Sequence, residues 1–349
     1  MKKTMLFLCA LVLAFSLCAA AGSPAAAEGR VIVSLGASYS SGEGIEPFYG
    51  QDAEMSVKCQ NPDWLAHRSE KSWPGMLTLP GVDGPMRDHF GENWFFAAAS
   101  GARSHHLYRL TEEEIRAGKS AEQERKYNRD QCSGTFLLPP QLDIFDRLDA
   151  KGLKADYVTL TIGGNDIGFE HLFRDAMLRL FDVLPFKTPE EKADFLWTVN
   201  AVDGGTHGKI KRALTDISAR AGSQAVILLA GYPQLLETVP EDNLFTEETI
   251  RVFCLFTNRL NEELEKITEE CREEGIQAFF VPVADAFHGH DMFADDPWIN
   301  PVFPGSKAQD LESLRLFSMY SVHPNEQGAR AYAACMQKEI DRLEAGPNP

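Results

Sequence analysis

Four short polar stretches in this 349-residue chain hold groups that belong to one kind of chemistry. Gly36-Ala37-Ser38-Tyr39-Ser40-Ser41-Gly42 offers hydroxyls, and Ser100-Gly101-Ala102 offers an unhindered backbone N–H. Gly163-Gly164-Asn165-Asp166 offers a carboxamide, and Ser321-Val322-His323-Pro324-Asn325 offers an imidazole. Taken singly, each is weak. A serine after a strand is commonly a turn former, and a lone histidine is commonly structural. Together they supply a nucleophile, oxyanion donors and a base, the parts that acyl transfer needs.

Those stretches need elements to position them. Brief apolar runs closed by turns fall at residues 31–35, 94–99, 157–162, 225–230 and 278–283. Such runs suit parallel strands buried on both faces. Helical stretches lie between or after them, notably 140–153, 247–274 and 325–343. Thr246 reads as an N-cap, with Phe256, Leu260, Leu264, Ile267 and Cys271 at helical spacing behind it. The alternation predicts one α/β domain over residues 28–349, a three-layer α/β/α sandwich with a parallel sheet. Ligands of such sheets bind beyond the carboxyl ends of the strands, where three of the four stretches fall. Residues 170–208 exceed what a connection requires and carry Phe173, Leu180, Phe181, Phe186, Phe195 and Trp197. They read equally as a helical insertion covering a site or as extra core helices.

Composition narrows the partners. Hydrophobic residues at 44% and charged residues at 24% provide for a sizeable core and exclude a disordered chain. A formal net charge of −17 repels a phosphate backbone, so nucleic acid is excluded as an expected partner. Lys2 and Lys3 precede an apolar run from Met5 to Ala21 and a small-residue tract ending at Ala27. That pattern predicts a cleaved signal peptide at residues 1–27 and a secreted or periplasmic product. Ala21 and Ala27 both close acceptable cleavage sites, whereas Leu17 is bulky for a lipoprotein site at Cys18. Cleavage removes two lysines and no acid, which takes the charge from −17 to −19. No later stretch is long enough to insert stably in a membrane, and a monomer is expected.

Five of the seven cysteines remain after cleavage: Cys59, Cys132, Cys254, Cys271 and Cys335. On one continuous helix Cys254 and Cys271 stand roughly 25 Å apart, too far to bond. Cys59 and Cys132, both in polar loop-like sequence, are the expected pair. Cys335 reads as a buried small hydrophobe on an Ala-rich helix.

The four stretches resemble, in order and wording, the four blocks of the SGNH or GDSL-like hydrolases. The resemblance runs from about Val31 to Ala334. It is nearest the secreted esterase and lipase branch, whose first block reads G-D-S-Y-S-S-G-E-G where this chain has Gly36-Ala37-Ser38-Tyr39-Ser40-Ser41-Gly42-Glu43-Gly44. Arg68-Ser69 before Trp73-Pro74, and Phe287 with Gly289-His290, extend it. The resemblance implies a flavodoxin-like SGNH fold, no metal or other cofactor, and hydrolysis of carboxylic esters of small molecules or lipids. It also implies Ser38 as nucleophile and His323 as general base. The N–H groups of Ser38 and Gly101 and the amide of Asn165 then form the oxyanion hole. Ser40 and Ser41 are rival hydroxyls, but only Ser38 sits two residues past the strand-ending glycine. The G-x-S-x-G elbow of another serine-hydrolase fold is absent around all three.

Three departures stand out. Ala37 replaces the usual aspartate of the first block, and Tyr320 stands where an aspartate normally precedes the histidine by three residues. Some relatives orient the histidine through a backbone carbonyl, so the Tyr320 carbonyl is the expected substitute. Relatives also pair a cysteine placed like Cys59 with one beside the second block, where this chain has Ala97, Ala98 and Ala99. These departures keep open an alternative: a carbohydrate- or lipid-binding descendant with little catalysis. Elsewhere, His288, His290 and Asp291 read as rim or structural groups with Trp298 packed beside them, rather than as metal ligands. His105 and His106 read as exposed loop histidines, and the acidic run from Glu262 to Glu270 as a solvated helix face.

Overall fold

Five short, mostly apolar strands pair into one parallel sheet. They are β1 (Ile32–Gly36), β2 (Trp94–Phe96), β5 (Tyr157–Thr161), β6 (Val226–Ala230) and β7 (Ala278–Val281), in the order β2-β1-β5-β6-β7. The remaining two, β3 (Gln123–Arg129) and β4 (Cys132–Leu138), form a separate antiparallel hairpin. The computed structural model describes residues 29–129, 132–240, 245–303 and 317–346. The expected signal peptide, with Cys9 and Cys18, lies outside the described residues.

Three of the expected strands, β2, β5 and β7, end one to three residues early. Beyond Phe96, the N–H groups of Ala97 and Ala99 still reach the carbonyls of Ser34 and Gly36, so the chain follows β1 as a loop. Helices cover the sheet: α1 (Ser38–Ser41), α2 (Ile144–Ala150), α3 (Phe169–Met177), α4 (Pro189–Trp197), α5 (Thr206–Ala221), α6 (Glu247–Glu273) and α7 (Glu326–Glu344). Thr246 does cap α6, its hydroxyl accepting from Thr249 N at 3.1 Å. The expected helix over 140–153 divides into a 3₁₀ turn at Gln141–Asp143 and α2. Among the described residues, no helix is long and apolar enough to cross a membrane.

Counted along the sheet strands alone, this is the order 2-1-3-4-5, and it reverses direction between β1 and β5. Loops leaving those two strands part to opposite sides there, which opens a crevice at their carboxyl ends. Residues 170–208 begin with α3, whose Leu172, Phe173 and Ala176 are buried. Helix α4 lies on α6 through a Lys192–Glu248 ion pair at 2.7 Å and a Trp197–Phe256 ring contact. The pattern of apolar runs does not predict the hairpin β3–β4. Its sequence alternates Gln123, Arg125 and Tyr127 inward with Glu124 and Lys126 outward, a period of two without hydrophobic residues to mark it. The Cys59–Cys132 disulfide ties it to the body of the domain.

Candidate active site

The turn after β1 sets the first group. Gly36 has φ of 110°, and a Cβ there would lie 2.3 Å from the Thr161 carbonyl, so only glycine lets the chain turn this close to β5. The side-chain amide of Gln141 clasps Gly36 from both sides, accepting from its N–H at 2.7 Å and donating to its carbonyl at 2.8 Å. Ser38 then opens α1. The rival hydroxyls are spoken for: Ser40 Oγ accepts from Thr161 N at 2.8 Å, and Ser41 Oγ donates to the Ser38 carbonyl at 3.2 Å. Of the three serines, Ser38 alone lines the pocket.

Gly101 and Asn165 line the same pocket as Ser38. Ala102 N donates to the Ala99 carbonyl at 3.0 Å and Gly101 has φ of 75°, which makes residues 99–102 a type II turn. Asn165 Nδ2 donates to the Ala102 carbonyl at 2.9 Å, fixing the plane of the amide against that turn. Asp166, next in sequence, accepts from the N–H and hydroxyl of Ser104 and so holds the far end of the same loop. Arg68 donates to the carbonyls of Ala97 and Ala98 from below.

His323 sits in a turn gripped from three directions. Asn300 pairs with it through the backbone, its N–H to the His323 carbonyl at 2.8 Å and its carbonyl from Val322 N at 3.1 Å. Tyr39, the neighbour of Ser38, donates its phenol to the Val322 carbonyl at 2.7 Å and tilts its ring against the imidazole. The expected role of the Tyr320 carbonyl is corrected here. His323 Nδ1 donates to the carbonyl of Ser321 at 2.8 Å, while the Tyr320 carbonyl accepts from Asn300 Nδ2 at 3.2 Å. Val322 is left-handed, with φ of 57°, and this folds the chain back so that the nearer carbonyl meets the ring. A β-branched residue in that conformation costs about 1–3 kcal/mol, sustained by the surrounding hydrogen bonds.

Behind the site lies a buried ionisable pair that pattern reading did not single out. Glu43 accepts from His67 Nδ1 at 2.8 Å, and both side chains are shut off from solvent. Burial pushes the Glu43 carboxyl up, but His67, with smaller pulls from His323 and Ser100, more than reverses this, to about 2. Burial likewise pushes the His323 imidazole below its ordinary value, opposed first by the Glu43 charge and then by the Ser321 carbonyl. A neutral imidazole with its Nδ1–H held by a carbonyl presents Nε2 as a base.

Ser38, Gly101, Asn165 and His323 all line one pocket of about 590 Å³ at the carboxyl ends of β1 and β5. Phe169, Phe173, Val302 and Met319 make its apolar wall. No hydrogen bond joins Ser38 Oγ to the imidazole among the described residues. His106 also lines the pocket; His105 and His106 are half-buried rather than exposed, and burial pushes His106 down to about 3. Outside the pocket lining, His290 stacks on Trp298 as expected, with centroids 3.7 Å apart, and Asp291 is buried, accepting from Thr238 and Phe293. Among the described residues, no group of three His, Cys, Asp or Glu side chains converges as a metal site would. Cys59 and Cys132 are bonded, whereas Cys254, Cys271 and Cys335 are free, with Cys335 only partly buried.

A parallel sheet of this order, with serine after its first strand and histidine before its last helix, defines the SGNH class of α/β folds. Residues 35–331 match the model of the GDSL-like lipase/acylhydrolase family, and the chain belongs to that family. Among solved structures it is similar to phospholipase A1 from Streptomyces albidoflavus, at 18% identity and a TM-score of 0.54, over 89% of this chain and 99% of that one. The extracellular lipase from Streptomyces rimosus is similar too, at 18% identity and a TM-score of 0.52, over 89% of this chain and 99% of that one. Both likenesses bear on the fold. A search of the curated proteins gives no match.

Proposed function

We propose that this protein is a secreted serine esterase or lipase that cleaves carboxylic esters through an acyl-enzyme on Ser38. The observation that carries the reading is the convergence of Ser38, Gly101, Asn165 and His323, from four separate parts of the chain, on one pocket. His323 Nε2 takes the Ser38 proton as the hydroxyl attacks the ester carbonyl. The N–H groups of Ser38 and Gly101 and the second amide hydrogen of Asn165 receive the oxyanion. Collapse of the tetrahedral intermediate expels the alkoxide, which takes from His323 the proton that Ser38 gave up. Water then repeats the sequence, freeing the acid and Ser38. The apolar wall suits an acyl chain, and α3, at the head of residues 170–208, supplies part of that wall as a cover for the site. Secretion is supported by the Cys59–Cys132 bond, which is favoured in oxidising compartments, and by the leader pattern of residues 1–27.

The test is a hydrolysis series over p-nitrophenyl esters from acetate to palmitate, with acetylated sugars alongside and Ser38→Ala as control. Turnover that vanishes in Ser38→Ala, with an organophosphonate adduct on Ser38 in the wild type, is the expected result. A folded wild-type protein that turns over none of these and takes no label is instead the binding descendant. N-terminal sequencing of the exported protein should begin after Ala21 or Ala27.

A further inference from the structure

The peptide between Ser100 and Gly101 is the central unit of the turn 99–102, and Ser100 and Gly101 line the pocket together with Gln123 and Arg125. Its N–H is the proposed oxyanion donor, and no described residue accepts a hydrogen bond from it. Its carbonyl receives two donors from the hairpin: Gln123 Nε2 at 2.7 Å and Arg125 Nη1 at 2.6 Å. Both side chains are buried, at 5% and 6% exposure. Type I and type II turns differ by a flip of this central peptide, and glycine at the third position tolerates either form. A flip would turn the Gly101 N–H away from the pocket and point the carbonyl oxygen in, toward a developing negative charge.

We infer that Gln123 and Arg125 are positioning residues that lock this peptide with its N–H aimed into the oxyanion hole. The inference rests on the proposed ester hydrolysis and assigns the hairpin its part in it. Two donors on one carbonyl hold the type II form, since a flip would leave a buried guanidinium and a buried amide without that acceptor. The cationic donor also withdraws electron density from the carbonyl across the amide, which strengthens the N–H at its other end. The hairpin is fixed for this task. Tyr127, the next inward residue on β3, packs edge-on against Trp64 at 5.1 Å, and the disulfide closes the far end.

The test compares Gln123→Met, Arg125→Met and Arg125→Lys with the wild type on one p-nitrophenyl ester. Melting temperature is read as the folding control, and the Gly101 amide is followed by NMR with ¹⁵N-glycine. The expected result is a kcat lower by about 10–100-fold in Arg125→Met, a smaller loss in Gln123→Met, and KM within about twofold, because the donor acts in the transition state. Lysine at 125 should recover most of kcat, and the Gly101 proton should move upfield in the methionine variants alone. A raised KM with kcat intact would make Arg125 a substrate contact and overturn the lock. So would an unmoved Gly101 signal with full turnover. A wild-type protein inactive on every ester overturns the hydrolase reading and the lock together, whereas an active wild type with fully active variants overturns only the lock.

Discussion

His323 Nδ1 and the Ser321 carbonyl oxygen face each other at 2.8 Å, across a turn of only two residues. A carbonyl there does part of what an aspartate does: it holds the tautomer and the ring angle. It carries no full charge, so stabilisation of the imidazolium must come from farther away. The ionised Glu43, buried behind the site, is placed to supply most of it, with a smaller pull from Glu170 at the pocket.

From this geometry, Tyr320→Phe should keep most of the activity. The phenol meets Glu46 at 2.5 Å, and the backbone carbonyl that binds Asn300 survives the change. His323→Ala should lose nearly all turnover. Steady-state rates on a short-chain ester, with circular dichroism to establish folding, decide the matter. Loss in Tyr320→Phe as deep as in His323→Ala would give the phenol a role that the Ser321 carbonyl leaves no room for.

The pH profile should carry the mark of Glu43. The base must be neutral, so kcat/KM falls as pH drops through the imidazole pKa. Burial places that pKa below the ordinary imidazole value, so the acid limb should lie at lower pH than a free imidazole would give. The Glu43 charge works in the opposite direction and raises it. Glu43→Gln therefore lets the pKa fall further, moving the acid limb to lower pH while kcat also drops. An acid limb that stays in place or moves upward in this variant would remove Glu43 from the electrostatics of the base.

Asn165→Ala should fold normally and lose roughly 10²–10³ in kcat with little change in KM, because an oxyanion donor acts in the transition state. The amide hydrogen that binds the Ala102 carbonyl contributes only to local order. Near-normal kcat would reduce Asn165 to a turn residue.

Breaking the disulfide should weaken both the fold and the site. The bond closes a span of 73 residues, and loss of such a cross-link costs about 2–4 kcal/mol. In the Cys59→Ala/Cys132→Ala double variant the melting temperature should fall by at least a few degrees. An unchanged melting temperature would show that packing alone secures the hairpin.

Much of this protein is legible along the chain because its signals are local. A buried parallel strand is a short apolar run, an N-cap is a threonine three residues ahead of its partner, and a glycine marks where the backbone must turn. The sheet strands, α6, α7 and the four polar stretches all follow from such signals, and a carbonyl holding the base follows from the resemblance. Other features depend on distance in space. Strand β3 carries an alternation of Gln123, Arg125 and Tyr127, buried because it meets the Ser100 carbonyl and the Trp64 ring. The Glu43–His67 pair joins residues 24 apart, and the Gln141 clasp on Gly36 spans 105. Whether Ser321 or Tyr320 orients the imidazole turned on the φ of Val322, a left-handed value that its own side chain opposes. Local preference decides which elements form and where the chain turns. Which carbonyl, carboxylate or guanidinium then stands beside a reactive group depends on the packing of segments far apart in sequence, and that is decided only when the whole core closes.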